Sequence, residues 1–360
     1  MKKIGIVNSG GDVQGINAVI SSAVRTGVPL GLKFVGFMKG WEGILDMNYI
    51  ELGIDQVRGI SHLGGTILHS VNRGRFAGKS GIGKSSQIPE EILNQVKSNL
   101  EKLDVDALIV IGGDGTLSGA LQLSEKGVKI IGVPKTIDND LNATDQTFGF
   151  STAVNIVVEA LDRIHTTAVS HDRVLFVETM GRHAGWIALF AGLAGGADAI
   201  LIPEIKFSYD GLINYLRYRK TIGRFYSVVV VAEGAVSKGG EVSKADIEND
   251  ASEVRIGGVS HLIMQNIEKL APNEFEMRNT VLGHIQRGGT PDSEDRILAK
   301  TYGIRAVEAL IKGKSGEMIA IRNGEFTEVL IKDAIKKLKV VTDDHFAYQS
   351  AKSIGVYFGE

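Results

Sequence analysis

The chain alternates between short, wholly apolar runs and longer stretches whose apolar residues recur at helical spacing. The runs Ala107 to Ile111 and Ile130 to Val133 are rich in β-branched residues and flanked by turn formers, which predicts two buried strands. Thr116 to Lys126, between them, has helical spacing. The same alternation runs through most of the chain. Further strands are expected at Ile4 to Val7, Phe34 to Met38, Val174 to Glu178, Ala199 to Ile202, Ser227 to Ala232, Arg278 to Leu282 and Glu317 to Ile321. Helices are expected at Asn17 to Thr26, Pro89 to Leu103, Thr147 to Ser170, Ala184 to Leu193, Asp210 to Lys220, Ser260 to Leu270, Ser293 to Ile311 and Ile331 to Leu338. Lys238 to Ile256 is polar and reads as a loop or a short helix, and the tail beyond Val340 shows no clear period. Strands alternating with helices throughout predict an α/β fold with mainly parallel sheets. A change of domain is expected near residue 150, where the long helix begins.

Composition narrows the class. A chain of 360 residues can bury two cores. A formal charge of -2 gives no broad attraction to nucleic acid or membrane, so neither is an expected partner. With no cysteine, disulfides and thiolate chemistry are excluded. The opening MKKIGIVNSGG is too soon interrupted for a signal peptide, and no apolar run approaches the length of a membrane span, so a cytoplasmic enzyme is expected. The 45 glycines cluster after strands, which suggests tight turns or close backbone approach to a ligand.

The candidate chemistry sits at the strand ends. In an open parallel sheet, those ends form a ligand crevice. One carries Gly112, Gly113, Asp114, Gly115 and Thr116; the next carries Lys135, Thr136, Asp138 and Asp140. Bare backbone and a helix N-terminus can hold phosphate, carboxylates can hold Mg²⁺, and a carboxylate can deprotonate an alcohol, which together suit phosphoryl transfer. The first strand runs into Asn8-Ser9-Gly10-Gly11-Asp12, which alone reads equally as a phosphate loop or a plain βα turn. Gly78 to Ser85 fits the Walker A pattern but lacks a strand before it and a helix directly after it, so a true P-loop is rejected there. Later strand ends carry Met180 to Arg182, Glu233, and His284 to Arg287. Several strand ends converging on one chemistry is a stronger signal than any single motif.

The segments NSGGDVQGINA, GGTIL, GGDGT, PKTIDND, SHDRVLFVETMGRHAG, VAEG and RNTVLGHIQRGGTP stand in the order of the 6-phosphofructokinase family, and the chain resembles that family across nearly its whole length. GGDGT alone is shared with NAD kinases and lipid kinases; PKTIDND with MGRHAG and GHIQRGG is specific. The resemblance implies two Rossmann-like three-layer α/β/α domains. The larger, nucleotide-binding one would comprise 1–149 plus about 286–336, and the smaller, sugar-phosphate-binding one 150–285 plus about 337–360. It implies transfer of a phosphoryl group from ATP, with Mg²⁺, to the 1-hydroxyl of fructose 6-phosphate. By the same resemblance Asp138 is the general base, Thr136 orients the transferred group and Arg182 stabilises it. Asp114 holds Mg²⁺, with Asp140 a further metal candidate. The sugar phosphate falls to Arg173, Arg278, His284 and Arg287, and its ring to Met180, Gly181 and Glu233. The nucleotide side falls to Gly11, Asn72, Arg73, Gly113, Asp114, Gly115, Thr116 and Lys135. In the family, Arg173 and Arg278 serve a neighbouring subunit, which implies a homo-oligomer, a tetramer or a dimer.

Three departures from the family pattern matter. ATP-using members carry glycine after the GGDGT aspartate and after the PKTIDND proline, whereas pyrophosphate-using members carry aspartate and lysine. Gly115 and Lys135 are therefore a mixed pair. Gly115 leaves room for the nucleotide's α-phosphate, so ATP is the expected donor and pyrophosphate the alternative. Asn72 occupies the usual arginine position, with Arg73 or Arg75 able to substitute, and Trp41 could flank a nucleotide or fill a core. Ser21, Ile54 and His165 replace cations of the family's effector site while Arg25 and Arg224 stay basic, so control by ADP or phosphoenolpyruvate is expected to be weak.

Overall fold

The computed structural model describes residues 1–72, 74–76, 87–240 and 258–360. The Walker-like stretch 78–85, Arg73 and most of the polar segment 238–256 lie outside the described residues. The strands are β1 (Lys3–Asn8), β2 (Lys33–Phe37), β3 (Tyr49–Leu52), β4 (Ala107–Gly112), β5 (Lys129–Pro134), β6 (Val174–Thr179), β7 (Ala199–Leu201), β8 (Ser227–Ala232), β9 (Met277–Val281), β10 (Glu317–Arg322) and β11 (Glu325–Leu330). The helices are α1 (Ile16–Gly27), α2 (Trp41–Leu45), α3 (Glu90–Lys102), α4 (Asp114–Glu125), α5 (Phe150–Ser170), α6 (Trp186–Ala194), α7 (Tyr209–Thr221), α8 (Val259–Leu270), α9 (Ser293–Ile311), α10 (Ile331–Ala334) and α11 (Phe346–Ser353).

The chain divides into two compact units. The first comprises Met1–Ile137, Leu141–Thr152 and Arg287–Leu338; the second comprises Asp138–Asp140, Ala153–Gln286 and Lys339–Glu360. The first holds a sheet in the order β11-β10-β5-β4-β1-β2-β3, parallel from β10 to β2 and antiparallel at both edges. Leu108 and Val110 of β4 join a core with Leu93, Val96 and Leu100 of α3 and Leu117 and Ala120 of α4. Ile109 and Ile111 are equally buried and, by strand alternation, face the other side. On that account all six residues of β4 are apolar or glycine, the mark of a strand covered on both faces. The second unit holds a fully parallel sheet, β7-β8-β6-β9. Its core packs Val174, Phe176, Val229 and Val231 against Leu212 and Leu216 of α7 and Ile263 and Ile267 of α8.

The expected α/β class and nearly all the expected elements are present, and the differences have physical causes. The helix expected over Ile331 to Leu338 is only the four-residue α10, with β11 directly before it and Leu338 pairing antiparallel with Leu141. β10 and β11 are joined by Asn323-Gly324, both at positive φ, the two-residue hairpin turn that this dipeptide favours. Glu325, Glu328 and exposed Leu330 mask the strand's alternation. Trp41 is 5% exposed and stacks on Phe76 at 4.3 Å, which makes it a core residue.

One buried carboxyl organises the start of α5. Asp295 of α9 is fully buried and accepts from Gly149 N at 2.7 Å, Thr152 N at 2.8 Å and Thr152 Oγ1 at 2.5 Å. Asp292 caps α9 by accepting from Asp295 N at 2.8 Å. Burial, opposed by the three donors and reinforced by Asp292, pushes the Asp295 carboxyl up to about 6. Between its ordinary range and that value the folded chain holds a proton that the unfolded chain has lost. The resulting stabilisation is present at low pH and disappears as pH rises through 6. In Asp295→Asn that dependence is absent. The stability advantage of the parent over the variant should therefore shrink by about 2 kcal/mol between pH 4 and 7. Denaturant titrations of both proteins at the two pH values check this; a gap that is constant or widens would contradict it.

Candidate active site

In the first unit, three parallel strand ends meet around one ammonium. Lys135, just after β5, is 3% exposed. Its Nζ donates to Ser9 O at 2.8 Å and to Gly11 O, and its backbone N donates to Gly112 O at 3.0 Å. Thr116 Oγ1 in α4 donates to the same Ser9 carbonyl at 3.1 Å. The turns after β1, β4 and β5 are thus tied together by two side chains. Burial and the Arg287 guanidinium, opposed by Asp12, hold the Lys135 ammonium down to about 7. The charge that the sequence places among donor phosphates is engaged by main-chain carbonyls in this structure.

Arg287 completes this side, donating from Nη1 to Asp12 O at 3.1 Å. A Cβ at Gly11 would lie 2.8 Å from Arg287 Nη1, so a side chain there would displace the guanidinium. Gly113 is the N-cap of α4, and Asp114 and Gly115 occupy its exposed first turn. A carboxylate on the first turn of a helix is favoured by the helix dipole. Asp114 forms no hydrogen bond or ion pair with another described residue. Thr136 follows Lys135, and its carbonyl accepts from Thr147 Oγ1 at 2.7 Å. Asn72 is exposed.

In the second unit, Asp138, Asn139 and Asp140 form a short loop. Asp138 Oδ1 is shielded from solvent. Asn139 has φ 50, and its Oδ1 accepts from Lys339 Nζ at 2.9 Å, while Asp140 O accepts from Lys339 N at 2.8 Å. A second group stands at the C-terminal ends of β6, β8 and β9. Met180, Gly181 and Arg182 follow β6, and Arg182 Nε is buried with no hydrogen-bond partner among the described residues. Glu233 follows β8, its N donating to Thr179 O at 2.9 Å. His284, exposed, opens the turn after β9. Gln286 in that turn accepts from Met180 N at 3.2 Å through Oε1.

Arg173 and Arg278 do not join that group. Arg173 precedes β6, and Arg278 pairs in register with Leu175, so both stand at the strands' N-terminal end. Seven residues of extended chain separate Arg173 from Met180, roughly 20 Å. Glu276 holds the two arginines as a pair, its Oε1 accepting from Arg173 Nε at 2.7 Å and Arg278 Nη2 at 3.1 Å. No motif marks Lys339 or Glu276. Gln286 was visible as a polar residue within GHIQRGG; Lys339 lies in a segment without any motif.

The phosphofructokinase family profile matches residues 3–310. The chain is 44% identical to an ATP-dependent 6-phosphofructokinase 2 of Clostridium perfringens over 363 residues, covering 100% of this chain and 99% of that one. It is 46% identical to a pyrophosphate–fructose 6-phosphate 1-phosphotransferase of Streptomyces coelicolor, covering 99% of this chain and 100% of the other. Among solved structures, phosphofructokinase from Saccharomyces cerevisiae superposes with a TM-score of 0.79 at 30% identity, over 93% of this chain and 45% of that one.

Proposed function

Because the chain belongs to the phosphofructokinase family, we propose that it transfers a phosphoryl group from ATP to the 1-hydroxyl of fructose 6-phosphate, giving fructose 1,6-bisphosphate and ADP. The observation that carries this reading is the short path from Lys135 to Asp140. A phosphate-side lysine and threonine run directly into a loop with two carboxylates, so donor-handling and proton-accepting groups share six residues. Asp138 takes the proton of the sugar hydroxyl as the new bond forms, Thr136 orients the phosphoryl group, and Arg182 neutralises charge on it. The buried Nε of Arg182, without a partner among the described residues, fits a group that meets an anion.

Mg²⁺ fits the donor set. No cluster of three or more His, Asp or Glu side chains capable of holding a metal occurs among the described residues. Exposed Asp114, with Asp140 as the further candidate, suits an ion whose remaining ligands are phosphate oxygens and water. When bound, Mg²⁺ would supply charge neutralisation at the donor; the nucleotide side would be held by Gly11, Asn72, Arg73, Gly113, Gly115, Thr116 and Lys135. The sugar ring falls to Met180, Gly181 and Glu233, and its phosphate to His284 and Arg287. The remote Arg173–Glu276–Arg278 set supports the reading that these arginines serve a neighbouring chain, in a cytoplasmic tetramer or dimer.

Pyrophosphate as donor is the second reading, favoured by Lys135 and by the Streptomyces relative. Gly115 favours ATP, because its exposed position on α4 adds neither bulk nor charge beside the donor. Initial rates with fructose 6-phosphate, Mg²⁺ and either ATP or pyrophosphate test this. ATP is expected to support turnover at least tenfold faster, about 1.4 kcal/mol in barrier. Turnover with pyrophosphate alone would replace the first reading by the second, and absence of turnover with both would sink the assignment.

A further inference from the structure

The loop Asp138–Asp140 carries a conformational cost. Asn139 is in the left-handed region, which strains a non-glycine residue and persists only where surroundings hold it. The group that holds it comes from a stretch containing none of the family motifs. Lys339 donates from Nζ to Asn139 Oδ1 at 2.9 Å and from its backbone N to Asp140 O at 2.8 Å, bracketing the loop through one side chain and one carbonyl.

Lys339 is itself anchored. Its carbonyl accepts from Trp186 Nε1 at 2.8 Å, and its ammonium lies 5.6 Å from the Trp186 ring centroid, within cation–π range. Trp186 is 4% exposed and opens α6. Two residues on, Val341 N donates at 2.9 Å to Glu204 Oε1, and the same carboxylate accepts from Gly185 N at 3.0 Å and 3.1 Å. His345 sets its ring edge on Trp186 at 4.8 Å. The strap 339–341 is therefore pinned to the α6 N-terminus at three points, and the loop is pinned to the strap.

We propose that Lys339 is the positioning residue that holds the Asp138–Asp140 loop in its reactive form, so that the aim of the proton acceptor is set by a C-terminal strap. The proposal rests on the kinase reading for its kinetic consequence, and on geometry alone for its effect on loop order. A misplacement of about 1 Å in a reacting group costs on the order of a hundredfold in rate. Lys339→Met keeps most of the side chain's length and loses the bond to Asn139. It should lower kcat about tenfold to a hundredfold while the KM values for sugar phosphate and donor change less than threefold. Lys339→Arg, which keeps a donor and the contact with Trp186, should recover most of the loss.

The deciding experiment is a double-mutant cycle of Lys339→Met with Asn139→Ala, with hydrogen exchange measured on every variant. If Lys339 acts through Asn139, the double variant loses no more kcat than the worse single one. Exchange at the amides of 139–141 should rise in Lys339→Met while the core of α5 stays protected. Additive losses, or unchanged kcat with unchanged exchange, would overturn the proposal. A parent protein inactive on fructose 6-phosphate would instead refute the function, and exchange at the loop would still decide the positioning role.

Discussion

Replacing Asp138 by asparagine is expected to lower kcat by about a hundredfold to ten-thousandfold, the range supplied by a positioned general base. The change keeps the size of the side chain and one oxygen acceptor, and it leaves the Lys339 bonds to Asn139 and Asp140 in place. What it removes is the capacity to take a proton. An alcohol is too weakly acidic to attack as an alkoxide at neutral pH, so its proton must leave as the bond to phosphorus forms. The KM for fructose 6-phosphate should move only a few-fold, because the loss falls on the transition state. Steady-state kinetics with a coupled assay for fructose 1,6-bisphosphate checks this. A variant within tenfold of the parent would remove Asp138 from the role of base.

The second large effect concerns Lys135. Lys135→Met removes two charge-assisted hydrogen bonds and leaves the carbonyls of Ser9 and Gly11 in a site without their cation. Hydrogen bonds to a charged group contribute about 1.5–3 kcal/mol each, and orphaned carbonyls add to the loss, so the turn after β1 should lose its fixed shape. The donor's kcat/KM is expected to fall about a hundredfold, with a smaller change in the KM for fructose 6-phosphate. The pH dependence separates this account from a purely steric one. The ammonium is held down to about 7, so in the free enzyme it discharges as pH rises through that value, and its grip on the carbonyls weakens. The parent's donor kcat/KM should therefore decline from pH 7 to 9, and that limb should be missing from the Met variant. The stability effect has the opposite sign. Above 7 the unfolded chain binds the proton that the folded chain has released, so Lys135 contributes stability that grows with pH up to its ordinary range. Donor kcat/KM profiles and denaturant midpoints of both proteins test the two signs together; parallel profiles would assign Lys135 no titrating role.

Lys135 also shows how a motif can mark a residue while its contacts stay hidden. Its place in PKTIDND marked it as a cation near phosphates, and it does stand among three strand ends. Its partners, Ser9 and Gly11, lie 126 and 124 residues away, and no local pattern announces them. The mixed pair Gly115 and Lys135 therefore asks a different question in three dimensions. Gly115 is exposed on the first turn of α4, whereas Lys135 is buried and bonded to main chain. The first adds no side chain to an open surface; the second fixes the shape of the turn after β1.

The α/β class, the alternation of elements and the motif residues at the ends of β1, β4, β5, β6 and β8 were legible in the chain's local pattern. All of these are written in local periodicity or in short runs, because hydrophobic spacing follows backbone geometry and a phosphate turn needs its glycines in consecutive positions. That pattern carried a hint of β11 in Asn323-Gly324 that the charged, half-buried strand concealed. What holds those residues became visible in the folded chain. It bonded Lys135 to carbonyls across the sheet and paired Arg173 with Arg278 through Glu276, at the strand end away from Met180. It brought Lys339 to the Asp138–Asp140 loop and Asp295 to the start of α5. The physical reason is common to these cases. A buried polar group must find partners, and in this fold the partners are supplied by segments far away in sequence, whose proximity is fixed only when the sheets assemble.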